Sequence, residues 1–421
     1  MARGDGMVDL KQAALEAIRK KLVGKRLSYK EYYAIIDQIA RGGIGDVVTA
    51  YFAAVGFTRG FTREELYYLT KAMVETGEKL SFKGVVADKH SVGGVPGYRT
   101  TLIIVPIIAA AGFKIPKTSS RAITSPAGTA DVMEVLADVS FSLKRIKTIV
   151  KKVGGCMIWG GTVHLAPADD EIIEVERAIS FESYDKIIAS VLAKKIAVGA
   201  THLVIDIPYG KDNKVKNKTD ADLLEKKFIY IARRFDIKVV VEKALINWPL
   251  GNGIGPVLEA RDCLRVLQQK NNRSVDLEAR ALHLAGSLLE LCGQRRNLAR
   301  QLLVNGQAFK KMREIIAIQG GNSNIDSEEL KPARMESKLQ SAESGRVKRI
   351  ENRNIVRLCR LLGTPKDKKA GIYLQKKPGE KVKKGENLFF MYSSDKMRLE
   401  RAKEKLQKGL RVYKIALDVR K

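Results

Sequence analysis

The sequence predicts an all-helical N-terminal domain, an α/β domain with crossover helices, and a β-rich, barrel-sandwich-like C-terminal domain. Apolar residues recur at helical spacing up to about residue 78, β-branched runs then alternate with helical segments, and short β segments dominate beyond about residue 335. The expected domains are 1–79 with a returning helical segment near 165–199, then 80–164 together with 200–334, and finally 335–421.

Helical apolar spacing predicts helices over Leu10–Leu22, Tyr32–Ile39 and Val47–Val55. Thr62-Arg-Glu-Glu65 is a capping box that predicts the start of a fourth helix, for which Gly77 is a plausible end. Nothing in this region suggests chemistry, so these helices are expected to be scaffold.

From residue 80 the alternation predicts a sheet with crossover helices, in which ligands bind where strands end and helices begin. The predicted strands are Val85–Ala87, Phe113–Pro116, Met157–Trp159, His202–Ile207 and Ile237–Val241. The predicted helices are Thr100–Ala111, Ala130–Ala137, Leu143–Val153, Ile187–Val198 and Ala221–Arg234, with further helix over 256–318. The C-terminal β segments are Ser344–Ile350, Ala370–Leu374 and Asn387–Tyr392, and residues 377–388 are hairpin-like, as in a structural biotinyl/lipoyl-type barrel.

Composition excludes several classes of protein. The chain has 421 residues, 45% of them hydrophobic, which supports two or three folded domains. No apolar run reaches the roughly 18 residues of a membrane span, and the first residues lack a signal-peptide core, so a cytoplasmic location is expected. The four cysteines and four histidines are scattered without metal-ligand spacing, so no metal site is expected.

The formal net charge of +29 raises the possibility of nucleic-acid binding. No aromatic-interleaved basic motif or RNA-binding signature accompanies it, so a nucleic-acid partner is not expected. The charge is instead expected to steer anionic substrates towards the surface.

Two segments dense in Gly, Ser and Thr flank the apolar run that follows Thr100. The first carries Lys89 and His90 beside Ser91 and three glycines, and the second carries Lys117 and Arg121 among hydroxyl residues that extend to Thr129. Glycines admit backbone N–H groups, hydroxyls donate hydrogen bonds, and Lys and Arg balance negative charge. The pair of segments predicts a phosphate site, although neither matches a Walker loop or a dinucleotide fingerprint.

Two further segments allow two interpretations each. Ser190 and Lys194 share one face of a predicted helix, which is either part of a site or a solvated face that also carries Lys195. The stretch 251–262 is a Gly-rich entry into a helix, which is either another substrate loop or a tight connection that positions the wall of the site, and the second interpretation is preferred.

These motifs resemble the thymidine/pyrimidine-nucleoside phosphorylase family over nearly the whole chain. The similarity rests on Asp-Lys-His-Ser-x-Gly-Gly-Val at 88–95, on the Ser-Arg loop that ends at Thr129, and on Ala-Ser-Val-Leu-Ala-Lys-Lys at 189–195. The loop 120–131 and Leu-Ala-Pro-Ala-Asp-Asp at 165–170 are most similar to the AMP phosphorylase branch. Because the sequence starts directly at the helical region, the extra N-terminal domain of archaeal AMP phosphorylases is not expected, and a homodimer is the expected assembly.

The resemblance implies roles for individual residues. Positions that hold the attacking phosphate are matched by Lys89, Ser91, Thr101, Ser119 and Thr129. Nucleotide-binding positions are matched by Gly94, Ser120, Arg121, Ala122, Ile123, Thr124, Ser125, Thr129, Ser190 and Lys214, and a base-contacting position by Lys194. AMP phosphorylases place an Asp proton donor eight residues before the serine matched by Ser190, and here that position is Glu182.

The reaction implied is phosphorolysis of the N-glycosidic bond of a nucleoside 5′-monophosphate, with AMP first and CMP or UMP as further candidates. Inorganic phosphate is the co-substrate, the products are free base and ribose 1,5-bisphosphate, and no cofactor is implied. The alternatives are phosphorolysis of unphosphorylated thymidine or uridine, phosphoribosyl transfer of the anthranilate phosphoribosyltransferase kind, and RNA binding without catalysis.

Overall fold

The computed structural model of the chain describes residues 5–122, 125–177 and 183–417. The helices are α1 Asp5–Leu22, α2 Tyr29–Ala40, α3 Gly45–Arg59, α4 Arg63–Glu75, α5 Thr101–Ala110, α6 Thr129–Met133, α7 Leu143–Val153, α8 Pro167–Arg177, α9 Tyr184–Ala197, α10 Lys218–Arg233, α11 Pro256–Leu267, α12 Val275–Leu291, α13 Leu298–Val304, α14 Gln307–Ile318, α15 Asn352–Leu362 and α16 Lys396–Gln407. The strands are β1 Ala87–Ser91, β2 Ile115–Ser119, β3 Gly155–Trp159, β4 His202–Tyr209, β5 Lys238–Leu245, β6 Gly253–Ile254, β7 Met335–Gln340, β8 Gly345–Ile350, β9 Gly371–Leu374, β10 Lys381–Val382, β11 Asn387–Ser393 and β12 Tyr413–Leu417.

The N-terminal helices form where apolar periodicity predicts them. Helices α8 and α9, which lie about a hundred residues further along the chain, pack against α2, α3 and α4. Their apolar side chains share one core with those of α10 and of strand β4. The helical region is therefore built from two separate stretches of sequence, and the returning stretch leads directly into the sheet.

The capping box at the start of α4 is also part of a buried hydrogen-bond cluster. The Glu65 carboxylate accepts hydrogen bonds from Thr62 N (3.0 Å), Lys21 Nζ (2.6 Å), Leu27 N (3.2 Å) and Tyr32 Oη (3.3 Å). Glu65 is only 3% exposed, so this one side chain satisfies donors from three elements of the N-terminal region.

The parallel sheet provides the edge on which the motifs converge. Strands β1, β4 and β5 pair in parallel in the order β1-β4-β5, and β2 pairs in parallel with β3. A parallel bridge between Val86 and Lys114 places β2 beside β1. The buried helix α5 connects these two strands, and its core includes residues of α11 to α14.

Two strand predictions end too early in the sequence. The expected strands Val85–Ala87 and Phe113–Pro116 run on to Ser91 and Ser119, so both motifs begin inside strands instead of in loops. The polar side chains there are tolerated because cations and carboxylates of neighbouring elements pair with one another, which apolar patterning cannot reveal.

The C-terminal region consists of two antiparallel sheets, β10-β8-β12 and β6-β9-β11-β7, together with α15 and α16. The two helices were not predicted, and both contribute to the same apolar core as the strands. Ile254 of β6 belongs to this core, so the segment before α11 completes a C-terminal sheet. The barrel-sandwich arrangement and the domain boundaries stay predictions.

We expect Glu65→Ala to lower the free energy of unfolding by about 3–5 kcal/mol, because it leaves the Lys21 ammonium buried without its partner. Urea unfolding followed by circular dichroism measures the change. The control is Glu64→Ala, which removes an exposed ion pair with Arg234 and should cost less than about 1 kcal/mol. Equal costs for the two variants would contradict the buried role of Glu65.

Candidate active site

The carboxyl ends of β1 and β2 carry the two motifs side by side. From the bridge between Val86 and Lys114, five residues along each strand lead to Ser91 and Ser119, the last residues of β1 and β2. Parallel neighbouring strands end at the same edge of a sheet, which is where ligands bind in α/β proteins. The two motifs therefore meet at one edge, as the sequence predicted.

Lys89 is the centre of the first cluster. It is 1% exposed, and its Nζ donates to Ser91 Oγ and to Thr100 Oγ1 (2.8 Å), at the N-terminus of α5. Asp206 of β4 accepts a hydrogen bond from Ser91 and lies 3.6 Å from Lys89 Nζ. The guanidinium of Arg280 donates to the second Asp206 oxygen. Lys89, Arg280 and the Ser91 hydroxyl thus surround one buried carboxylate.

Burial lowers the pKa of Lys89 to about 8, a drop that Asp206 limits and that Arg280 deepens. Burial opposes ionisation of Asp206, yet Lys89 and Arg280 keep the pKa of this carboxyl below its usual value. The cluster therefore holds a permanent anion beside an ammonium that titrates near neutral pH.

A second cluster lies one strand away, around Asp88 of β1. Its carboxylate accepts a hydrogen bond from Lys195 Nζ (2.7 Å) and lies 3.5 Å from Lys117 Nζ of β2. Lys195 also reaches Thr118 Oγ1 at 3.5 Å. Burial, opposed by Asp88 and assisted by Lys195, lowers the pKa of Lys117.

Two sequence-based expectations about these charges were wrong. His90 was grouped with the cations, but burial and the nearby lysines, Lys195 and Lys117 first among them, hold its pKa well below the usual value, so it is neutral. A solvated helix face was one of the two interpretations for Lys195, and its 1% exposure excludes that interpretation for this residue. In both cases the cause is a residue distant in the sequence that the fold brings close.

Together the two clusters hold four cationic side chains and two carboxylates at neighbouring strand ends. Within these described clusters, two positive charges have no carboxylate of their own. Buried excess charge is costly unless a counter-ion is supplied, and the depressed lysine pKa values express that cost. The arrangement can accept a dianion, for which hydroxyls and the N-terminus of α5 provide further donors.

In the Ser-Arg loop, Arg121 was expected to face the phosphate of a substrate, but it pairs with carboxylates of the chain itself. Arg121 binds Glu134 (2.7 Å) and Asp131 (3.2 Å), and its guanidinium lies 4.7 Å from the Trp159 ring centroid. The hydrogen bonds from Arg121 are the main reason that the pKa of Glu134 falls to about 2. The charge of Arg121 is therefore balanced by two carboxylates, and its assignment to a substrate phosphate stays a prediction.

Asp131 and Gly128 fold this loop back on itself. One Asp131 oxygen accepts hydrogen bonds from Ala122 N and Gly128 N, both at 2.7 Å. A Cβ on Gly128 would lie 2.5 Å from the carbonyl carbon of Arg121 and 2.5 Å from Ser120 O, so only glycine fits. The loop is thereby held tightly against the start of α6.

The remaining expected phosphate and loop residues lie around the same edge. Thr101 is the first residue of α5, Ser119 Oγ donates to Ile158 O (3.2 Å), and Thr129 Oγ1 accepts from Arg99 (3.3 Å). Ser125 Oγ donates to Ala127 O at 2.7 Å. These contacts fix the positions of the hydroxyls, and their roles with substrate stay predictions.

Gly94 brings the first motif against the segment that follows β4. A Cβ on Gly94, whose φ is +100°, would lie 2.7 Å from Lys214 N and 3.2 Å from Asn213 Cα. Lys214 O also accepts a hydrogen bond from Tyr184 Oη (3.4 Å) at the start of α9. The matched positions Gly94 and Lys214 are thus neighbours in space although they lie far apart in the sequence.

Ser190 and Lys194 share a carboxylate partner, as their common helix face predicts. Ser190 Oγ donates to Asp169 Oδ2 at 2.6 Å, and Lys194 Nζ lies 2.9 Å from the same atom and 3.2 Å from Asp170 Oδ1. Asp169 and Asp170 keep the pKa of Lys194 above its usual value despite burial. The Oδ1 atom of Asp169 is buried without a hydrogen-bond partner among the residues that the structure describes.

Ile123, Thr124 and Glu182 lie outside the described residues. Within 5–122, 125–177 and 183–417, no group of three or more His, Cys, Asp or Glu side chains is placed to hold a metal ion. None of the described helices is both long and apolar enough to cross a membrane.

Sequence-based reasoning missed the carboxylates. Asp88, Asp169 and Asp206 are each 0% exposed and each pair with lysine side chains of the site, yet none was assigned a role. Asp206 had a usable signal, because a charged residue interrupts the apolar run of β4. Arg280 offered no comparable signal, since it lies on a helix with many polar residues.

Three family models match the chain. They are the glycosyl transferase family helical bundle domain over residues 15–77, the glycosyl transferase family α/β domain over 83–224, and the pyrimidine nucleoside phosphorylase C-terminal domain over 346–413.

Relatives match along most of the chain. A putative thymidine phosphorylase of Legionella pneumophila (strain Paris) is 46% identical over 386 residues, which is 90% of this chain and 74% of the relative. The AMP phosphorylase of Thermofilum pendens is 44% identical over 92% of this chain and 76% of its own length. The AMP phosphorylase of Methanococcus vannielii is 41% identical over 97% of this chain and 81% of its own length.

Among solved structures, anthranilate phosphoribosyltransferase from Thermus thermophilus has the same fold. The TM-score is 0.61 at 18% identity, and the match covers 72% of this chain and 99% of that one. Fold, site and relatives together define a glycosyltransferase of the pentosyltransferase type that works as a phosphorylase. The chain belongs to the thymidine/pyrimidine-nucleoside phosphorylase family, and the relatives reported above include AMP phosphorylases.

We expect Asp206→Asn to destabilise the protein by about 3 kcal/mol at pH 6, because Lys89 and Arg280 lose their shared counter-charge. The folded-state pKa of Lys89 lies below the unfolded value, so stability rises with pH above about 8 as the folded state releases this proton first. Asp206 raises the pKa of Lys89, so without it that pKa falls further and the variant gains stability from a lower pH than the wild type. The stability deficit of the variant should therefore narrow between pH 6 and pH 9.

Urea unfolding at the two pH values measures this narrowing. The control is Asp222→Asn, which removes a more exposed carboxylate next to Lys243 and should leave stability nearly unchanged at both pH values. A deficit for Asp206→Asn that is the same at pH 6 and pH 9 would contradict the titration assigned to Lys89.

Proposed function

We propose that this protein phosphorolyses the N-glycosidic bond of a nucleoside 5′-monophosphate, AMP first and CMP or UMP as further candidates, to give free base and ribose 1,5-bisphosphate. The observation that carries the proposal is the buried pair of charge clusters at the ends of β1 and β2, with two more cations than carboxylates. An inorganic phosphate dianion supplies the missing charge. The AMP phosphorylases that match 92–97% of the chain support the choice of a nucleotide.

In this mechanism the site holds phosphate beneath the anomeric carbon of the ribose. Lys89 supplies an ammonium, Ser91 and Ser119 supply hydroxyls, and α5 presents its N-terminus through Thr100 and Thr101. As the C–N bond breaks, positive charge develops on the sugar ring, and the held dianion stabilises that charge before it attacks. Positioning and electrostatics account for this part of the catalysis, and the mechanism requires no cofactor.

The departing base needs its own group of residues. Ser190 and Lys194 lie together on α9, each bound to Asp169, and Lys194 stays protonated because of its two carboxylate neighbours. They bind the base as it gains electron density, and Glu182 protonates it. Asp169 keeps the two base-side groups at a fixed distance from each other.

The helix α9 links the base side to the phosphate side. Lys194 is bound to Asp169 and Asp170 of α8, and its neighbour Lys195 is bound to Asp88 of β1. Consecutive residues of one helix are thereby fixed to both halves of the site. This geometry sets the distance between bound phosphate and bound base, which an in-line displacement requires.

A second candidate is phosphorolysis of an unphosphorylated pyrimidine nucleoside. It is favoured by the Legionella relatives, named putative thymidine phosphorylases, at 45–46% identity. It is also favoured by the two carboxylates bound to Arg121, which neutralise the cation expected to receive a 5′-phosphate. A homodimer is the assembly we propose for either reaction.

The decisive assay incubates the protein with inorganic phosphate and each of AMP, CMP, UMP, adenosine, uridine and thymidine, and measures released base. We expect release from at least one 5′-monophosphate at a rate well above that of its nucleoside. Release from thymidine or uridine alone would select the second candidate. Turnover only with phosphoribosyl pyrophosphate and Mg²⁺, in place of phosphate, would reject both.

Phosphate binding should weaken as pH rises above about 8, because neutral Lys89 no longer supplies a charge. Calorimetric titration with inorganic phosphate between pH 6.5 and 9.5 measures this, and binding near pH 8 should be accompanied by proton uptake. In Lys89→Met the affinity for phosphate should be at least about tenfold weaker. It should also no longer change with pH near pH 8. A wild-type affinity that stays constant up to pH 9.5 would exclude Lys89 from the phosphate site.

Glu182→Gln should reduce turnover of the true substrate by about 10²–10⁴-fold, since a competent general acid contributes that factor. The Michaelis constant for phosphate should change little, because Glu182 is not one of the residues proposed to hold phosphate. Wild-type turnover by Glu182→Gln would assign the proton to another group.

A further inference from the structure

The C-terminal region carries a surplus of positive charge that the proposed reaction does not use. Residues 335–421 contain 25 Lys and Arg against 10 Asp and Glu, which is more than half of the net charge of +29 in about a fifth of the chain. Charge of this density attracts anions to the surface on which it lies. The surface that carries this excess of Lys and Arg is therefore a candidate binding surface for an anionic ligand.

A cavity of about 350 Å³ lies where this region meets the α/β sheet. Its volume is within the range of small-molecule sites. The lining residues are Lys211, Asn247, Trp248, Lys348, Arg349, Pro378 and Lys414. Four of these seven side chains are cationic and none is a carboxylate.

The cavity lies between the segments that follow β4 and β5 and the strands β8 and β12. Lys211 follows β4, Asn247 and Trp248 follow β5, and both strands end at the same edge of the sheet as the phosphate clusters. The two loops lie so close together that a Cβ on Gly210 would be only 2.4 Å from Asn247 Oδ1. The opposite wall is formed by β8 and β12, where Lys414 pairs in register with Arg349.

The charges of this cavity are only partly balanced. Arg349 binds Asp212 and Glu351, both at 3.0 Å, and is neutralised by them. Lys211, Lys348 and Lys414 have no carboxylate partner among the residues that the structure describes, and all three are exposed. Three lysines around one concave surface repel one another unless an anion lies between them.

We propose that this cavity binds a nucleoside di- or triphosphate at a site separate from the catalytic clusters. The three lysines bind the phosphate chain, while the Trp248 indole and the Asn247 amide contact the base. Trp248 is the one aromatic residue that lines the cavity, so a single base is accommodated. A single-stranded nucleic acid would require a row of aromatic platforms along an open groove.

The location gives this site a route to the catalytic centre. The segment that follows β4 carries Lys211 on the cavity wall and Lys214, the neighbour of Gly94, three residues later. A ligand bound to Lys211 therefore restrains the same loop that contacts the first phosphate motif. Binding does not require turnover, so it can be tested whatever the substrate of the enzyme is.

The chain has two tryptophans, Trp159 and Trp248, so Trp159→Phe leaves Trp248 as the only indole fluorophore. We expect ADP, ATP and inorganic tripolyphosphate to change its emission saturably at low salt, with affinity that falls as salt is raised. Adenosine should bind far more weakly, because it lacks phosphates. In the same background Lys89→Met should not alter the affinity, which separates this site from the catalytic phosphate site.

The test variant is Lys348→Gln with Lys414→Gln, which should weaken ATP binding at least about tenfold. The matched control is Lys383→Gln with Lys384→Gln, which removes two exposed charges from the same region but outside the cavity and should change affinity less than about twofold. Thermal unfolding of all variants verifies that they are folded, as expected for exposed side chains.

Three results would overturn the proposal. The first is no saturable change of Trp248 emission with any polyphosphate. The second is equal weakening in the test and control variants, which would indicate a diffuse charge effect. The third is tighter, lysine-dependent binding of a single-stranded oligonucleotide than of ATP, which would assign the surface to nucleic acid.

Discussion

The active-site edge of this protein depends on two buried aspartates that hold more positive charge than they neutralise. Asp88 and Asp206 lie on neighbouring parallel strands, and each is shared by two cations that come from different elements. Removing either carboxylate would leave like charges facing one another in a medium of low dielectric. The same electrostatic imbalance that costs stability prepares the site for an anionic substrate.

This arrangement explains why the site is distributed over so many elements. Strand β1 supplies Lys89 and Asp88, β4 supplies Asp206, α9 supplies Lys195, and α12 supplies Arg280. Ion pairs between these elements join the sheet to the returning helix α9 and to α12.

Family membership and the local structure agree on the class of reaction. The choice of substrate depends on a few contacts of individual side chains. Arg121 is bound by Asp131 and Glu134, whereas Lys89 is surrounded by hydroxyls and one carboxylate. A neutralised arginine and an under-neutralised lysine have different affinities for phosphate, although the sequence presents both as cations in polar motifs. The distinction between nucleotide and nucleoside substrates depends on such local balances of charge.

The sequence by itself determined the two motifs and most elements of the helical and α/β regions, because helix periodicity, the capping box at Thr62 and the alternation of strands and helices are local properties of the chain. It also placed Ser190 and Lys194 on one face, since that follows from helical spacing. Only the tertiary structure decided the partners of Lys89 and Lys195, the neutrality of His90 and the burial of Asp206. These depend on pairs such as Asp88 with Lys195, which are 107 residues apart, and on desolvation, which exists only once the chain has packed.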